Sequence, residues 1–327
     1  MLTQEKNHIT QIYNRENIPN FDFKKAIKIE MFGGHNRPIE EKQKAAKIIE
    51  KSDLLQYHYF SQEYNVVRGA SQIFLIYLMS KGIKHLIGFV SLSQPTITKK
   101  VRNIMWGKNF LDHIFHIKNT NKKFQDIKFF NLSRMVILPS FRGIGISKFL
   151  QDEILAMMKE NNPGHFSLEF TSNMFHTIDF ASNKFNKTTM KIDKERFPEV
   201  FAGSAGTSEE KSKRLKGYKG ETKHIGIVIN YFFDTDLTLD LFQEYFRMFY
   251  DINLSKDQIR ETMNKTINIT DYGSDEILNE IIEKRNALFL LNFMSAEELL
   301  KVERTQIDKK QMKAQLQKEK EYEVEEW

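Results

Sequence analysis

The sequence predicts an α/β (α+β) domain, in which helices flank a sheet, followed by a helical C-terminal extension. Up to residue 233, short apolar runs that suit buried strands alternate with amphipathic segments that suit helices. After residue 234 the strand-like runs stop, and apolar residues recur at helical spacing. We therefore expect an irregular lead-in over residues 1–39, the α/β domain over 40–233, and a helical region with a charged tail over 234–327.

The composition excludes several classes of protein. Of the 327 residues, 40% are hydrophobic and 27 are Phe, so the chain can bury a sizeable core. The absence of cysteine excludes disulfides, thiolate nucleophiles and cysteine-bound zinc. The sequence has no apolar run of the roughly 18 residues that a membrane span needs, and the polar start MLTQEKNHIT lacks the core of a signal peptide. We therefore expect a cytoplasmic protein with no membrane partner.

The charge balance is mildly basic, with a formal net charge of +6. Such an excess is compatible with a nucleic-acid or phosphate-bearing partner. It is equally compatible with an ordinary soluble protein, so both interpretations stay open.

Strands are predicted from apolar runs that end at turn-forming residues. They cover residues 73–79, 85–92, 131–138, 166–171 and 225–233. Lys81-Gly82 separates the first two runs, which indicates a hairpin.

Helices are predicted where apolar residues recur every three to four positions. They cover residues 40–55, 146–160, 175–187, 238–250, 256–265, 275–291 and 296–320. Ser255 with Gln258, and Ser295 with Glu298, fit capping boxes at two helix starts. Residues 99–128 are expected to form a loop with some helix, and residues 203–223 an exposed loop.

The stretch RMVILPSFRGIGISKFLQDEI (residues 134–154) joins a predicted strand to a predicted helix through Arg142-Gly143-Ile144-Gly145. Glycine lets the backbone adopt unusual φ values and approach a ligand closely. The first N–H groups of the helix lack intrahelical partners and lie at the positive end of its dipole. Arg142 adds positive charge at the same place. Residues 142–147 are therefore predicted to bind an anion such as a phosphate or pyrophosphate.

This stretch resembles motif A of the GNAT acyltransferases, Arg/Gln-x-x-Gly-x-Gly/Ala after an apolar strand and a proline. The matching residues are Val136-Ile137-Leu138-Pro139, then Arg142-Gly143-Ile144-Gly145-Ile146-Ser147, with Ser147 in place of the last Gly or Ala. A dinucleotide fingerprint would need a third glycine, and a P-loop would need Gly-Lys-Ser/Thr. Neither is present.

The resemblance implies a mixed, centrally splayed sheet and a CoA-dependent N-acyltransferase (acetyltransferase) that acts on an amine-bearing acceptor. Acetyl-CoA or another acyl-CoA is the implied acyl donor. Its pyrophosphate would bind to the loop, and its pantetheine arm would lie along the preceding strand. The implied loop residues are Arg142, Gly143, Ile144, Gly145, Ile146 and Ser147. The implied strand residues are Met135, Val136 and Leu138, with the amides of Met135 and Val136 near the thioester.

Other short words resemble a subgroup of GNAT-like proteins that includes the phage Mom DNA-modification protein. They are residues 45–61, Gly88-Phe89-Val90, Leu132-Ser133-Arg134, and Phe170-Thr171-Ser172-Asn173 followed by His176. This resemblance implies, as an alternative, an enzyme that modifies DNA adenine, with nucleic acid as its partner. A GNAT fold that has lost its chemistry and serves as a binding module is a further alternative.

Several side chains are candidates for the chemistry. Glu169, on the strand after the motif A helix, either accepts the amine proton or points to solvent. His58, with Tyr59 beside it, either accepts a proton near neutral pH or is a packed or surface histidine. Ser133 and Arg134 are neighbours on a strand, so we expect them on opposite faces. Asn173 contacts the thiol end of the cofactor or caps a helix.

No metal site is expected. His113 and His116 share a helical face, but no acidic residue accompanies them at ligand spacing. In the C-terminal region, an aromatic stripe at helical spacing is expected to form core rather than a base-stacking surface. It comprises Phe242, Tyr245, Phe246, Phe249 and Tyr250. The region is further expected to serve packing or oligomerisation rather than DNA binding.

Overall fold

The computed structural model describes residues 22–34, 39–57, 70–95, 100–161, 166–172, 186–193, 225–232, 234–263, 266–268 and 275–305. Within these residues, eight strands form one sheet in the order β1-β2-β3-β4-β5-β7-β6-β8. They are β1 (Ile27–Gly33), β2 (Ala70–Ser80), β3 (Ile83–Ser93), β4 (Lys128–Ile137), β5 (Phe166–Ser172), β6 (Asn186–Asp193), β7 (Ile225–Phe232) and β8 (Thr266–Asn268).

Nine α-helices occur in the same described part of the chain. They are α1 (Phe23–Ala26), α2 (Ile39–Glu50), α3 (Lys100–Trp106), α4 (Phe110–Thr120), α5 (Ile146–Asn161), α6 (Asp236–Tyr250), α7 (Lys256–Thr262), α8 (Asp275–Lys284) and α9 (Ala296–Lys301). None of the helices in these ranges is both long and apolar enough to cross a bilayer.

The sheet is mixed, as predicted. Strands β1 to β4 pair antiparallel with their neighbours, whereas β4 and β5 pair in parallel. Strands β5, β7 and β6 continue antiparallel, and β6 pairs with β8 in parallel. The predicted hairpin joins β2 to β3 through Lys81 and Gly82, whose φ values of 49° and 77° fit a two-residue primed turn. The predicted fold class is confirmed.

Different helices cover the two faces of the sheet. Phe74 and Ile76 of β2 pack on the face that α5 covers. Ile73 and Leu75 pack on the opposite face with Ile49 of α2. This alternation follows from the two-residue period of a strand. We call these the α5 face and the α2 face.

A separate aromatic core joins α3 and α4, which lie between β3 and β4 in the chain, to the C-terminal helices. The Trp106 ring at the end of α3 is 1% exposed, and its centroid lies 4.7 Å from that of Phe289 and 5.1 Å from that of Phe242. The Tyr245 hydroxyl donates to the Trp106 carbonyl at 2.5 Å. All five residues of the predicted aromatic stripe are buried on α6, so their prediction as core is confirmed.

Both predicted capping boxes are confirmed. The Ser255 and Ser295 hydroxyls accept from the backbone N–H of Gln258 and Glu298, and the side-chain oxygens of Gln258 and Glu298 accept from the serine N–H in return. These reciprocal bonds satisfy N–H groups that the start of a helix leaves without partners.

Several expectations about secondary structure were wrong. The lead-in is not irregular throughout, because residues 27–33 pair along their whole length with β2. Within the predicted loop 99–128, the described residues 100–128 are mainly helical, since burial against the C-terminal helices outweighs their polar composition. Strand β6 was missed, and β8 brings a strand to a region expected to have none. The three-part division stays a prediction, and the contacts described here cross both of its boundaries.

Parts of other predictions lie outside the described residues. These parts are residues 175–185 of the predicted helix 175–187, the predicted loop 203–223, and the chain after residue 305. The last two residues of that predicted helix belong to β6 instead. The predicted helix over 275–291 ends at Lys284, and a 3₁₀ turn (Leu288–Asn292) follows it.

His113 on α4 belongs to the aromatic core rather than to a metal site. Its ring is stacked on Phe249, with centroids 3.9 Å apart and planes 6° apart. Burial, and to a smaller extent the positive charge of Arg304 and His116, lowers the pKa of His113 to about 4. No described residue offers its Nδ1 atom a hydrogen bond. No group of three potential metal-ligating side chains occurs among the described residues.

The depressed pKa of His113 predicts a loss of stability in acid. The unfolded chain takes up this proton near pH 6.5 and the folded chain only near pH 4, so the free energy of unfolding falls as the pH drops between these values. The loss amounts to about 3 kcal/mol and is complete below pH 4. His113→Phe keeps the stack and removes the titration, so urea unfolding at a series of pH values should show this part of the loss only in the wild type. An unchanged pH dependence in the variant would contradict it.

Candidate functional site

Strands β4 and β5 part in the middle of the sheet. Their parallel pairing covers only Lys128–Asn131 against Phe166–Glu169. Beyond that point β4 stays paired with β3 up to Ile137, whereas β5 stays paired with β7 up to Ser172. The two strands therefore diverge towards their carboxyl ends, which is where ligands bind in sheets with parallel strands. The predicted central splay is confirmed, and Asn131 and Glu169 mark its closed end.

A one-residue bulge interrupts β4 just past this closed end. Ser91 of β3 is opposite Arg134, and the next residue, Leu92, is opposite Leu132, so Ser133 is the extra residue. The Ser133 hydroxyl donates to the carbonyl of Ser91 at 2.9 Å. The two serine Oγ atoms are 3.0 Å apart. Because Ser133 has already donated its proton, Ser91 is the donor of this second bond.

The bulge overturns the expectation that Ser133 and Arg134 point to opposite faces. The Ser133 hydroxyl contacts the side chain of Ser91. Ser91 lies between Val90 and Leu92, which both pack on the α5 face, so the Ser91 side chain points to the α2 face. Arg134 lies two residues before Val136, which packs on the α2 face. The extra residue therefore turns both side chains to the same side of the sheet.

Exposure along β4 shows that the splay is open. Ser133 is exposed although β4 is the fourth strand of eight, and Arg134 and Met135 are half-buried. Val136, one step further, is buried against Phe89 in the core of the α2 face. The cleft between the strands therefore lies beside residues 133–135.

Backbone directions decide which β4 amides point into this cleft. The Leu138 N–H donates to the carbonyl of Ile87 on β3 at 2.9 Å. In an antiparallel pair, every second residue directs its N–H and C=O groups to the partner strand, and the residues between direct theirs away from it. Val136 therefore directs its N–H towards β3, and Met135 directs its own towards β5. Of the two amides predicted to lie near the thioester, only that of Met135 points into the splay.

The glycine loop follows directly at the open end of the splay. Gly143 and Gly145 have φ values of 78° and 86°, a region that other residues adopt only with strain. A Cβ added at Gly145 would meet no atom within 4 Å, so the space beside the loop is open. The half-buried Ile144 and the buried Ile146 pack their side chains into the core of the α5 face. This packing holds the loop in place.

Helix α5 starts at the end of this loop. The Gly145 carbonyl accepts from the amides of Lys148 and Phe149. The amides of Ile146 and Ser147 lie before this first turn of intrahelical bonds. The first turn contains no acidic residue, so nothing there opposes an anion at the positive end of the helix dipole.

Arg142 has a structural role that the sequence did not indicate. Its Nε donates to the Ile137 carbonyl at 2.9 Å, which ties the loop back to the last residue of β4. Its side chain is otherwise exposed beside the glycines. The guanidinium is therefore held at the mouth of the splay, beside the glycine loop.

The remaining site predictions are located as far as the described residues allow. Glu169 lies at the closed end of the splay, opposite Asn131 on one side and Asn230 on the other. His58, Tyr59 and Asn173 lie outside the described residues. The 3₁₀ turn Asp53–Tyr57, directly before His58, contacts β4. The catalytic roles of these residues, and the Mom-like resemblance that includes His58 and Tyr59, stay predictions.

Sequence reasoning missed Ser91 and gave no physical reason for Gly88. A Cβ on Gly88 would lie 2.5 Å from the Val136 carbonyl oxygen, so β3 and β4 can approach this closely only with glycine there. An isolated glycine in a strand pattern is the signal that could have predicted this contact. Ser91, in contrast, has no distinctive sequence pattern.

The contact at Gly88 predicts a selective loss of stability. In Gly88→Ala the new methyl group meets a backbone carbonyl that cannot rotate away, so we expect the free energy of unfolding to fall by about 3 kcal/mol. Gly82→Ala is the control, because a Cβ there meets nothing within 4 Å and costs only the strain of its positive φ, about 1 kcal/mol. Urea unfolding of both variants measures the difference. Equal losses would contradict the close approach of the strands.

No protein-family model matches the sequence, and no curated protein matches it. Among solved structures, the chain is similar to a mosquito arylalkylamine N-acetyltransferase-like protein 5b, with 11% identity and a TM-score of 0.31 over 63% of this chain and 100% of that chain. It is also similar to an insect protein assigned as arylalkylamine N-acetyltransferase 7, from the yellow fever mosquito Aedes aegypti, with 11% identity and a TM-score of 0.34 over 63% of this chain and 87% of that chain. The fold assignment therefore depends on the strand order and the splay of this chain.

Proposed function

We propose that the chain is a CoA-dependent N-acyltransferase of the GNAT type, which transfers an acyl group from a thioester to an amine. The observation that carries the proposal is the position of the glycine loop. It lies at the carboxyl end of β4, at the mouth of the gap that opens where β4 leaves β5. An anion held by the loop would direct the rest of its molecule into that gap.

The loop and the start of α5 suit the pyrophosphate of an acyl-CoA. The amides around Gly145 and at the start of α5, the open space beside Gly145 and the nearby guanidinium of Arg142 are all suited to an anion. The absence of acidic residues from the first turn of the helix agrees with this role. Leu138 lies just before the loop and would flank the start of the pantetheine arm.

The free edge of β4 suits the pantetheine arm. Past Asn131, this edge is not paired with β5, so backbone groups of residues such as Met135 point into the gap. Pantetheine contains two amides, which can bond to such an edge in the way that an added strand does. From Leu138 back to Met135 the strand covers roughly 10 Å at about 3.3 Å per residue. The thioester at the end of the arm would lie beside the Met135 amide, within the open part of the splay.

The proposed chemistry needs few groups. A neutral amine attacks the thioester carbonyl, the Met135 amide donates to the carbonyl oxygen, and a base accepts the amine proton. The new C–N bond replaces the C–S bond, and CoA leaves as a thiolate that takes up a proton. Glu169 is our proposed base because its position in β5 is the last one that still pairs with β4. The acceptor would approach from the α2 face, where Arg134 lies and the chain leads into His58. We propose an amine-bearing acceptor without naming it, and a nucleic-acid partner stays an expectation.

The first test is binding of acetyl-CoA. Isothermal titration of the wild type should give a micromolar dissociation constant, and Gly145→Glu should raise it by about 100-fold or more through charge repulsion and loss of the loop amides. Gly82→Glu is the matched control, because that glycine also has a positive φ and open space around it but lies in the β2–β3 turn. The control should bind as the wild type does. Equal binding by all three proteins would refute the pyrophosphate site.

A second test identifies the base. With acetyl-CoA and a panel of primary amines, release of the CoA thiol should fall about 100-fold in Glu169→Gln, because a positioned base contributes about that much. The dissociation constant of acetyl-CoA should stay within about twofold, since Glu169 lies at the other end of the cleft from the loop. His58→Gln is assayed in parallel. If only this second variant loses activity, Glu169 is not the base and His58 takes its place.

A further inference from the structure

We propose that Ser91 and Ser133 form a positioning latch for the acyl-transfer site: their two hydroxyl bonds hold the β4 bulge at Ser133 and thereby keep the Met135 amide directed into the splay. This inference rests on the proposed function and adds a role for two residues that do not touch the acyl donor. It also reassigns Ser133, which the sequence suggested as a catalytic residue.

The first step of the argument is the geometry of the pair. Ser133 donates to the Ser91 carbonyl at 2.9 Å, and Ser91 returns a bond to Ser133 at 3.0 Å. Ser91 is only 1% exposed, so its hydroxyl cannot easily replace this partner with water. Both bonds connect the extra residue of the bulge to the single residue opposite it. When the bulge leaves Ser133, this residue pairs directly with Ser91, and its backbone N–H takes the place of its hydroxyl at the Ser91 carbonyl.

The second step is what a displaced bulge would do. Before the bulge, residues 128–131 fix the register of β4 with β5. After the bulge, the pairing around Gly88 and Ile137 fixes the register of β4 with β3. The bulge supplies the one extra residue between these two pairings, and both pairings would be kept if Arg134 or Met135 were the extra residue instead of Ser133. If Met135 became the extra residue, its amide would no longer point into the splay, because each step along a strand reverses the direction of the backbone groups.

The third step is the link to the proposed chemistry. The Met135 amide is the donor proposed for the thioester oxygen, and hydrogen bonds of this kind act only when the donor is already in place. The glycine loop lies beyond Ile137, on the far side of the bulge from the β4–β5 pairing. Loss of the latch should therefore affect polarisation of the carbonyl much more than binding of the donor.

The test uses acetyl-CoA labelled with 13C at the thioester carbonyl, with no acceptor present. In the wild type the NMR signal of the bound carbonyl should move downfield from its free value. In Ser133→Ala at least half of that shift should be lost, while the dissociation constant changes by less than about threefold. Ser133→Thr keeps the hydroxyl and should restore the shift. Ser80→Ala, the same change near the end of β2, is the control and should behave as the wild type does.

Two outcomes separate this inference from the proposed function. If the wild type does not bind acetyl-CoA, the proposed function fails, and a crystal structure of unliganded Ser133→Ala still decides the latch: Met135 should no longer be opposite Val90. If the wild type binds and Ser133→Ala keeps the full carbonyl shift or the native bulge, the latch is refuted. If Ser133→Ala does not fold, Ser91→Ala replaces it in the test. This variant removes only the bond between the two hydroxyls, so it should lose a smaller part of the carbonyl shift.

Discussion

Strand β4 pairs with β3 over Asn131–Ile137 but with β5 only over Lys128–Asn131, and this offset pairing organises the molecule. At Asn131 the strand has a partner on both sides, so the sheet is closed there. Beyond Asn131, the edge of β4 that faces β5 pairs with no strand in the described part of the chain. A buried edge of this kind is costly unless another group bonds to it or water reaches it. The exposed Ser133 shows that this edge lies beside an open cleft.

The local devices along β4 all serve this arrangement. The bulge at Ser133 reconciles the two registers, and the serine pair satisfies the hydroxyls that it brings together. Gly88 lets β3 approach closely at Val136, which keeps the upper half of β4 attached to the antiparallel side of the sheet. Arg142 then bonds to the Ile137 carbonyl, so the strand end and the glycine loop move as one unit. Together these contacts fix the loop relative to the strand edge without any contact from β5.

The helical core supports the opposite end of the same strand. Helices α3 and α4 precede β4 in the chain and share their aromatic core with the C-terminal helices, and Phe129 of β4 packs against that core. Phe129 also lies within the four residues that pair with β5. The helices therefore strengthen the closed end of the splay, while the carboxyl end is left to the loop and α5. This division explains why the C-terminal region is inseparable from the segment between β3 and β4.

The sequence alone determined the elements whose cause is local. Apolar runs, the Lys81-Gly82 turn, the capping boxes and the strand-glycine-helix stretch depend on neighbours within a few residues, and each is present in the structure. Strands β1, β6 and β8 were missed because their own sequence patterns do not indicate a strand. They form by pairing with other strands of the sheet. The helices between β3 and β4 were underestimated because their buried face is defined by residues more than a hundred positions away. Only the tertiary structure decided that Ser133 and Arg134 share a face and that Met135 rather than Val136 directs its amide into the cleft. The position of a bulge depends on two strand registers at once, and a single segment of sequence contains neither of them.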